Sequence, residues 1–139
     1  MRIVFDTNVV IDAVAARQPF CIEAEAILLK VSEEKINGYV TANSLADVFY
    51  VIRRSVTAAT AKNIIRSLLY SLNVIEVGNA DCWQAVNSPI ADFEDALLVA
   101  CAEKVDADYI VTRDEELTKK ISPINIVYPV EFLALCVSD

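Results

Sequence analysis

Arg2-Ile3-Val4-Phe5-Asp6-Thr7-Asn8 is an arginine followed by three apolar residues, then a carboxylate and two short polar side chains. A run this short and this apolar predicts a buried strand over Arg2 to Phe5, with Asp6 directly past its end. The same design returns in Asp108-Tyr109-Ile110-Val111-Thr112-Arg113-Asp114. Here Tyr109 to Val111 is a near-continuous apolar core of a strand over Asp108 to Thr112, and Asp114 takes the place of Asp6. Thr7 and Asn8 beside the first acid, and Thr112 beside the second, carry groups able to hydrogen-bond a carboxylate and orient it.

Between and beyond these two runs, helical and strand patterns alternate. Further strands are expected at Gly38 to Thr41, Val74 to Val77 and Ile124 to Tyr128. Helices are expected at Cys21 to Glu34, with Ile22, Ala26, Leu29 and Ile36 inward, and at Ser44 to Arg54, where Leu45, Val48, Phe49 and Ile52 recur at helical spacing. A helix at Ala58 to Leu72 is opened by Thr57, and a short one after Asn79 is closed by Pro89. Asp92 to Val105 has an alanine-rich centre suited to close packing on a sheet, and Val130 to Cys136 closes the chain. No linker, repeat or low-complexity segment divides the sequence, so residues 1–139 read as one domain. The expected architecture is α/β: a central, mostly parallel sheet of four to five short strands flanked by helices. Right-handed crossovers would then bring acids that follow strands to one carboxyl edge.

Composition narrows the chemistry. The chain has no histidine, which removes Ser-His-Asp and Cys-His catalysis, imidazole acid–base chemistry and histidine metal ligands together. Cys21, Cys82, Cys101 and Cys136 are scattered without a C-x-x-C pair, so structural zinc is not expected, and Cys101 reads as a buried free thiol. With only Gly38 and Gly78, neither a P-loop nor a dinucleotide fingerprint is present. No apolar stretch approaches the ~18 residues of a membrane span, and the N-terminal run is too short for a signal-peptide core, so a cytoplasmic location is the default. The apolar content of 55% leaves side chains for a subunit interface.

Carboxylates and hard cations remain. Asp92, Glu94 and Asp95 open the alanine-rich helix, where residues three apart share a face, so Asp92 and Asp95 can point together. An Asp cap with acids in the first turn satisfies free amides and the helix dipole equally well. Asp47 lies in the first turns of the helix after the second strand, where a dipole role is also open. Acids brought to one sheet edge by separate segments repel one another unless something compensates, and a divalent cation such as Mg²⁺ or Mn²⁺ is the natural compensator. Such ions can activate water against phosphorus and stabilise a leaving oxygen without histidine. The formal charge of −8 looks wrong for a protein that meets a polyanion. Two divalent cations at one acidic site would halve it and invert the local field.

The pieces Ile-Val-Phe-Asp6-Thr7-Asn8, Thr-Ala-Asn-Ser-Leu-Ala-Asp47, Asp92-Phe-Glu-Asp95-Ala-Leu and Tyr-Ile-Val-Thr112-Arg-Asp114, in that order, resemble the PIN-domain family, including VapC-like toxins of toxin–antitoxin pairs. The resemblance spans essentially the full chain and implies a metal-dependent endoribonuclease. It implies Asp6, Asp95 and Asp114 as metal ligands and Asp47 as the fourth catalytic acid, with Asp92 close by as a further ligand. Asn8 and Thr112 would support the carboxylates. The second acid of the family is more often glutamate, so Asp47, one methylene shorter, is where this chain departs, and a water or Asp92 is the substitute. The resemblance also implies a homodimer and, for a toxin, a protein antitoxin that covers the site.

Candidate contacts to RNA phosphates are Arg53, Arg54, Lys62, Arg66 and Arg113, each of which also reads as a solvated surface charge. Three rival readings stand beside the ribonuclease. A non-catalytic RNA- or protein-binding module of the same fold would leave the acids idle. A dehalogenase-like phosphatase would want an acid where Asn8 stands, and a receiver domain would want an aspartate where the third strand runs into Gly78.

Overall fold

The computed structural model describes residues 1–137. Five strands, β1 Arg2–Phe5, β2 Asn37–Thr41, β3 Asn73–Ile75, β4 Tyr109–Val111 and β5 Asn125–Val127, form one sheet in the order β3-β2-β1-β4-β5. Every neighbouring pair is parallel. The helices are α1 Thr7–Val14, α2 Cys21–Ser32, α3 Ala42–Ile52, α4 Ala58–Ser71, α5 Asn79–Val86, α6 Phe93–Lys104, α7 Glu115–Thr118 and α8 Pro129–Val137. The expected parallel α/β sheet flanked by helices is what the chain forms.

The pleat of β1 sorts its side chains between two cores. Ile3 and Phe5, both fully buried, pack on one face with Val9, Ile27, Val48 and Phe132. Val4 points to the other, among Leu97, Leu98, Cys101, Ile110 and Leu117. Each such burial stabilises the fold by about 1.5–3 kcal/mol, which is why three consecutive apolar residues suffice to fix the central strand. β1 lies in the middle of the sheet. The chain runs outward from it through β2 and β3, then returns to its other side for β4 and β5. The direction of winding therefore reverses between β1 and β4, and a crevice opens outside their carboxyl ends.

Several local expectations are corrected. Helix α1 is not expected from its residues, because Val9, Val10 and Ile11 are β-branched and weak helix formers; their burial overrides propensity. Helix α2 buries Cys21, Ala24, Ile27 and Val31, whereas Ile22 and Leu29, expected inward, are 63% and 56% exposed and Ala26 is only part-buried. Eight of the helix's twelve residues are apolar, so two stripes satisfy helical spacing and only the neighbouring elements select between them. Strand β3 begins one residue before the expected Val74 and ends at Ile75. Ile36 and the Cys101 thiol are buried as expected, and among the described residues no helix is long and apolar enough to cross a membrane.

Candidate active site

Asp6, directly past β1, is held at the crevice by the end of β4. Its amide donates to the Val111 carbonyl at 2.9 Å, continuing the β1–β4 pairing by one residue. Its side chain caps α1, Oδ1 accepting from the Thr7 amide at 2.8 Å. Oδ2 accepts from the Thr112 hydroxyl at 2.7 Å and from the Asn8 side-chain amide at 3.3 Å. Thr112, fully buried, also accepts the Asp114 amide at 3.0 Å on the same hydroxyl. The two supports anticipated for the carboxylates, Asn8 and Thr112, thus both touch Asp6, and Thr112 ties it to Asp114.

Asp114 caps α7, accepting from the Glu116 amide at 3.0 Å, and Asp92 caps α6, accepting from the Asp95 amide at 2.9 Å. Capping and convergence are therefore compatible: Asp6 and Asp114 follow β1 and β4 directly, Asp92 follows the α5–α6 loop, each opens a helix, and the charges of all three reach Asp95. The acids feel one another. Burial pushes the Asp95 carboxyl up to about 6, and the charges of Asp92, Asp114 and Asp6 push the same way, with Lys120 opposing. Asp6 is also raised, first by burial, then against the hydrogen bonds of Thr112 and Thr7, with Asp114 adding to the rise and Asn8 opposing it.

Glu94 belongs to this group although its place in the sequence suggested only a helix cap. Its carboxyl is raised by burial and then by the charges of Asp47, Asp6 and Asp92. Asp47, exposed on α3, is thereby connected to the cluster through Glu94. A narrow cleft of about 20 Å³, room for roughly one water-sized group, is lined by Asp6, Thr7, Glu94 and Asp95 together with Thr41, Asn43 and Ser44. Thr7 and Ser44 share a hydroxyl hydrogen bond that joins the starts of α1 and α3. Thr41, Asn43 and Ser44 are further side chains that sequence reasoning missed; the signal was three polar residues within four positions at a strand-to-helix junction.

Among the described residues no group of three or more histidine, cysteine or acidic side chains is arranged to hold a metal ion as it stands. The donor chemistry nevertheless fits a hard cation: the converging groups are all oxygens, and the Asp6, Glu94 and Asp95 carboxyls are raised first by burial and then by the charges of neighbouring acids.

The cations singled out in the sequence lie elsewhere. Arg53 donates to the Val56 carbonyl at 2.9 Å, and Arg54 sits 5.2 Å from the Tyr50 ring centroid, both at the far end of α3. Lys62 and Arg66 line a separate cleft between α3 and α4, with Leu45, Phe49, Ile65 and Leu69. Arg113 turns inward onto Asp12 at 2.7 and 3.1 Å.

A family model described as the PIN domain matches residues 2–116. The chain belongs to the PIN-domain family. Solved structures share the fold across most of their length. VapBC2 from Rickettsia felis, bound to a DNA fragment from its promoter, aligns with a TM-score of 0.67 and 15% identity over 92% of this chain and 98% of that one. A toxin–antitoxin complex from Klebsiella pneumoniae gives 0.68 and 21%, covering 91% and 96%. VapC20 from Mycobacterium tuberculosis, a sarcin-ricin loop cleaving toxin, gives 0.66 and 15%, covering 84% and 92%. No curated protein matches the chain by sequence. In this PIN domain the family match takes in Asp6, Asp47, Asp92, Asp95 and Asp114 alike.

Proposed function

We propose that this PIN-domain protein is an endoribonuclease that depends on Mg²⁺ or Mn²⁺, and that it is the toxin of a toxin–antitoxin pair acting in the cytoplasm. The observation that carries the reading is the crowding of Asp6, Asp95 and Asp114, whose charges reach one another at the switch point between β1 and β4. A structural acid cluster is not expected to leave such repulsion uncompensated. VapC20, which shares the fold, is described as a sarcin-ricin loop cleaving toxin, and the Klebsiella pneumoniae structure as a toxin–antitoxin complex, which supports RNA as substrate and a protein antitoxin as partner.

Asp6, Asp95 and Asp114 would hold the cation, with Asp92, Glu94 and Asp47 at its margin. A bound divalent cation supplies a lowered pKa to water and positive charge beside the phosphate. The protein's own part is orientation. Thr112, Thr7 and Asn8 fix the Asp6 carboxylate by three hydrogen bonds, so its oxygens are not free to rotate toward solvent. Without a cation, burial and the neighbouring acids push the Asp95 carboxyl up to about 6, and a cation bound there would favour its charged form. Lys120, whose charge reaches Asp95, joins Arg53, Arg54, Lys62 and Arg66 as a candidate contact to RNA phosphates. Exposed apolar side chains, Trp83 and Val86 among them, are available for a homodimer.

The test is cleavage of single-stranded and structured RNA by purified protein. Activity should appear with Mn²⁺ or Mg²⁺, stop with chelator and be lost in Asp6→Asn and Asp95→Asn. Cleavage that survives both substitutions, or specific metal uptake absent from calorimetry, would return the protein to the non-catalytic reading.

A further inference from the structure

Asp12 is only 1% exposed, on the inner side of α1, and it is not among the acids that the resemblance implied. Its carboxylate takes both arms of the Arg113 guanidinium: Nε donates to Oδ2 at 2.7 Å and Nη2 to Oδ1 at 3.1 Å. The Phe20 ring covers the guanidinium from outside, 3.9 Å from Cζ to the ring centroid. The Arg113 amide is held as well, donating to Oδ1 of Asn8 at 3.2 Å. Arg113 is thus fastened to α1 at its backbone and at its tip. Its two chain neighbours are Thr112, which grips Asp6, and Asp114 itself.

A buried ion pair adds little net stability compared with an apolar pair of the same volume, because desolvation offsets most of the attraction. What a bidentate pair supplies is a fixed position. That adds to the hold of the Thr112 hydroxyl on the Asp114 amide, because the loop leaves a strand of only three residues and enters a helix of only four. From this geometry, and resting on the ribonuclease reading, we infer that Asp12 and Arg113 are positioning residues that clamp the β4–α7 loop to α1 and so set Asp114 against Asp6. Arg113 acts inward and is not a contact to RNA phosphate.

The inference is tested with Asp12→Asn, Arg113→Gln and the double variant, and with Arg113→Lys as the gentler change. A small misplacement of a reacting group lowers rates by up to about 100-fold. Each single substitution should lower kcat by about 10- to 100-fold, while KM and the salt dependence of RNA binding hold. The double variant should be no worse than either single one, and Arg113→Lys should recover part of the loss. If Arg113→Gln instead raises KM and flattens the salt dependence while Asp12→Asn leaves kcat intact, Arg113 is an RNA contact and the clamp is wrong. Amide hydrogen exchange over residues 112–118 gives a reading independent of activity: it should quicken in Asp12→Asn, and unchanged exchange also overturns the clamp. Should the wild-type protein cleave no RNA, the ribonuclease reading fails, and exchange alone decides the clamp.

Discussion

The Thr112 hydroxyl donates to Oδ2 of Asp6 at 2.7 Å, and the same oxygen accepts the Asp114 amide at 3.0 Å. One fully buried hydroxyl therefore spaces two acids that belong to opposite ends of the chain. Valine has the shape of threonine without this group. Thr112→Val should leave the Asp114 amide without its acceptor and Asp6 without its shortest donor, destabilising the fold by about 1–3 kcal/mol in urea titrations. RNA cleavage should fall by about 10- to 100-fold, as when the support of a ligand is removed. Thr112→Ser should restore most of both. Wild-type cleavage by the valine variant would mean that Asp6 is oriented without Thr112.

Gly38 faces α2, the end of α4 and the neighbouring strand β1 at close range. A Cβ built there lies 2.9 Å from Leu72 Cδ2 and from Val31 Cγ2, and 3.0 Å from Phe5 Cε2. All three neighbours are buried and leave little room to give. Gly38→Ala should cost about 1–3 kcal/mol in chemical denaturation through overpacking. Because Gly38 lies at the start of β2 and away from the acid cleft, kcat measured well below the melting temperature should not change. A neutral or stabilising effect on folding would show that α2 or α4 shifts freely.

Arg53 and Arg54 stand at the C-terminal end of α3, both exposed. If they meet the RNA backbone, the double change Arg53→Ala with Arg54→Ala weakens binding of a single-stranded RNA. Two lost phosphate contacts should reduce the slope of log affinity against log salt by about 1.4. Fluorescence anisotropy at several salt concentrations reads both quantities. An unchanged affinity and slope would assign these arginines to the surface, as the Val56 carbonyl and the Tyr50 ring already occupy them in part.

The strands and their terminal acids were legible because burial on both faces leaves an unmistakable mark: Ile3 to Phe5 and Tyr109 to Val111 admit few other readings. Helix α1 was not, since Val9, Val10 and Ile11 look like strand residues until the core they fill is known. The face of α2 was misjudged for a related reason, two apolar stripes on one helix. At the site, the aspartates after strands stood out as a pattern, whereas Glu94 and Ser44 enter it only through the way α6 and α3 begin at the same edge. The Asp12–Arg113 pair spans 101 positions and carries no local signature, so Arg113 read as a surface cation. Pairings of this kind are properties of the sheet order, not of any stretch of chain.

Crowding at the cleft has a consequence for stability that does not depend on substrate. The Asp95 carboxyl titrates at about 6 in the folded protein against an ordinary value of 3.8, mainly through burial and then through Asp92, Asp114 and Asp6. Below about pH 4 the carboxyl is protonated whether the chain is folded or not, and it imposes no penalty. As pH rises from 4 through 6, the folded protein holds on to a proton that the unfolded chain releases, so stability falls across that window and stays lowered above it. Asp6 and Glu94, both raised, act in the same direction. In chelator, Asp95→Asn should therefore melt higher than wild type at pH 7.5, with the difference vanishing toward pH 4. A gain of 1 kcal/mol corresponds to about 3–4 °C in a chain of this length, and solvent on the open side of the cleft keeps the effect modest. Adding Mn²⁺ at pH 7.5 should raise the wild-type melting temperature more than that of the variant, because a cation replaces the missing proton as the compensating charge. A difference between the two proteins that stays flat from pH 4 to 7.5 would mean that Asp95 does not carry the strain.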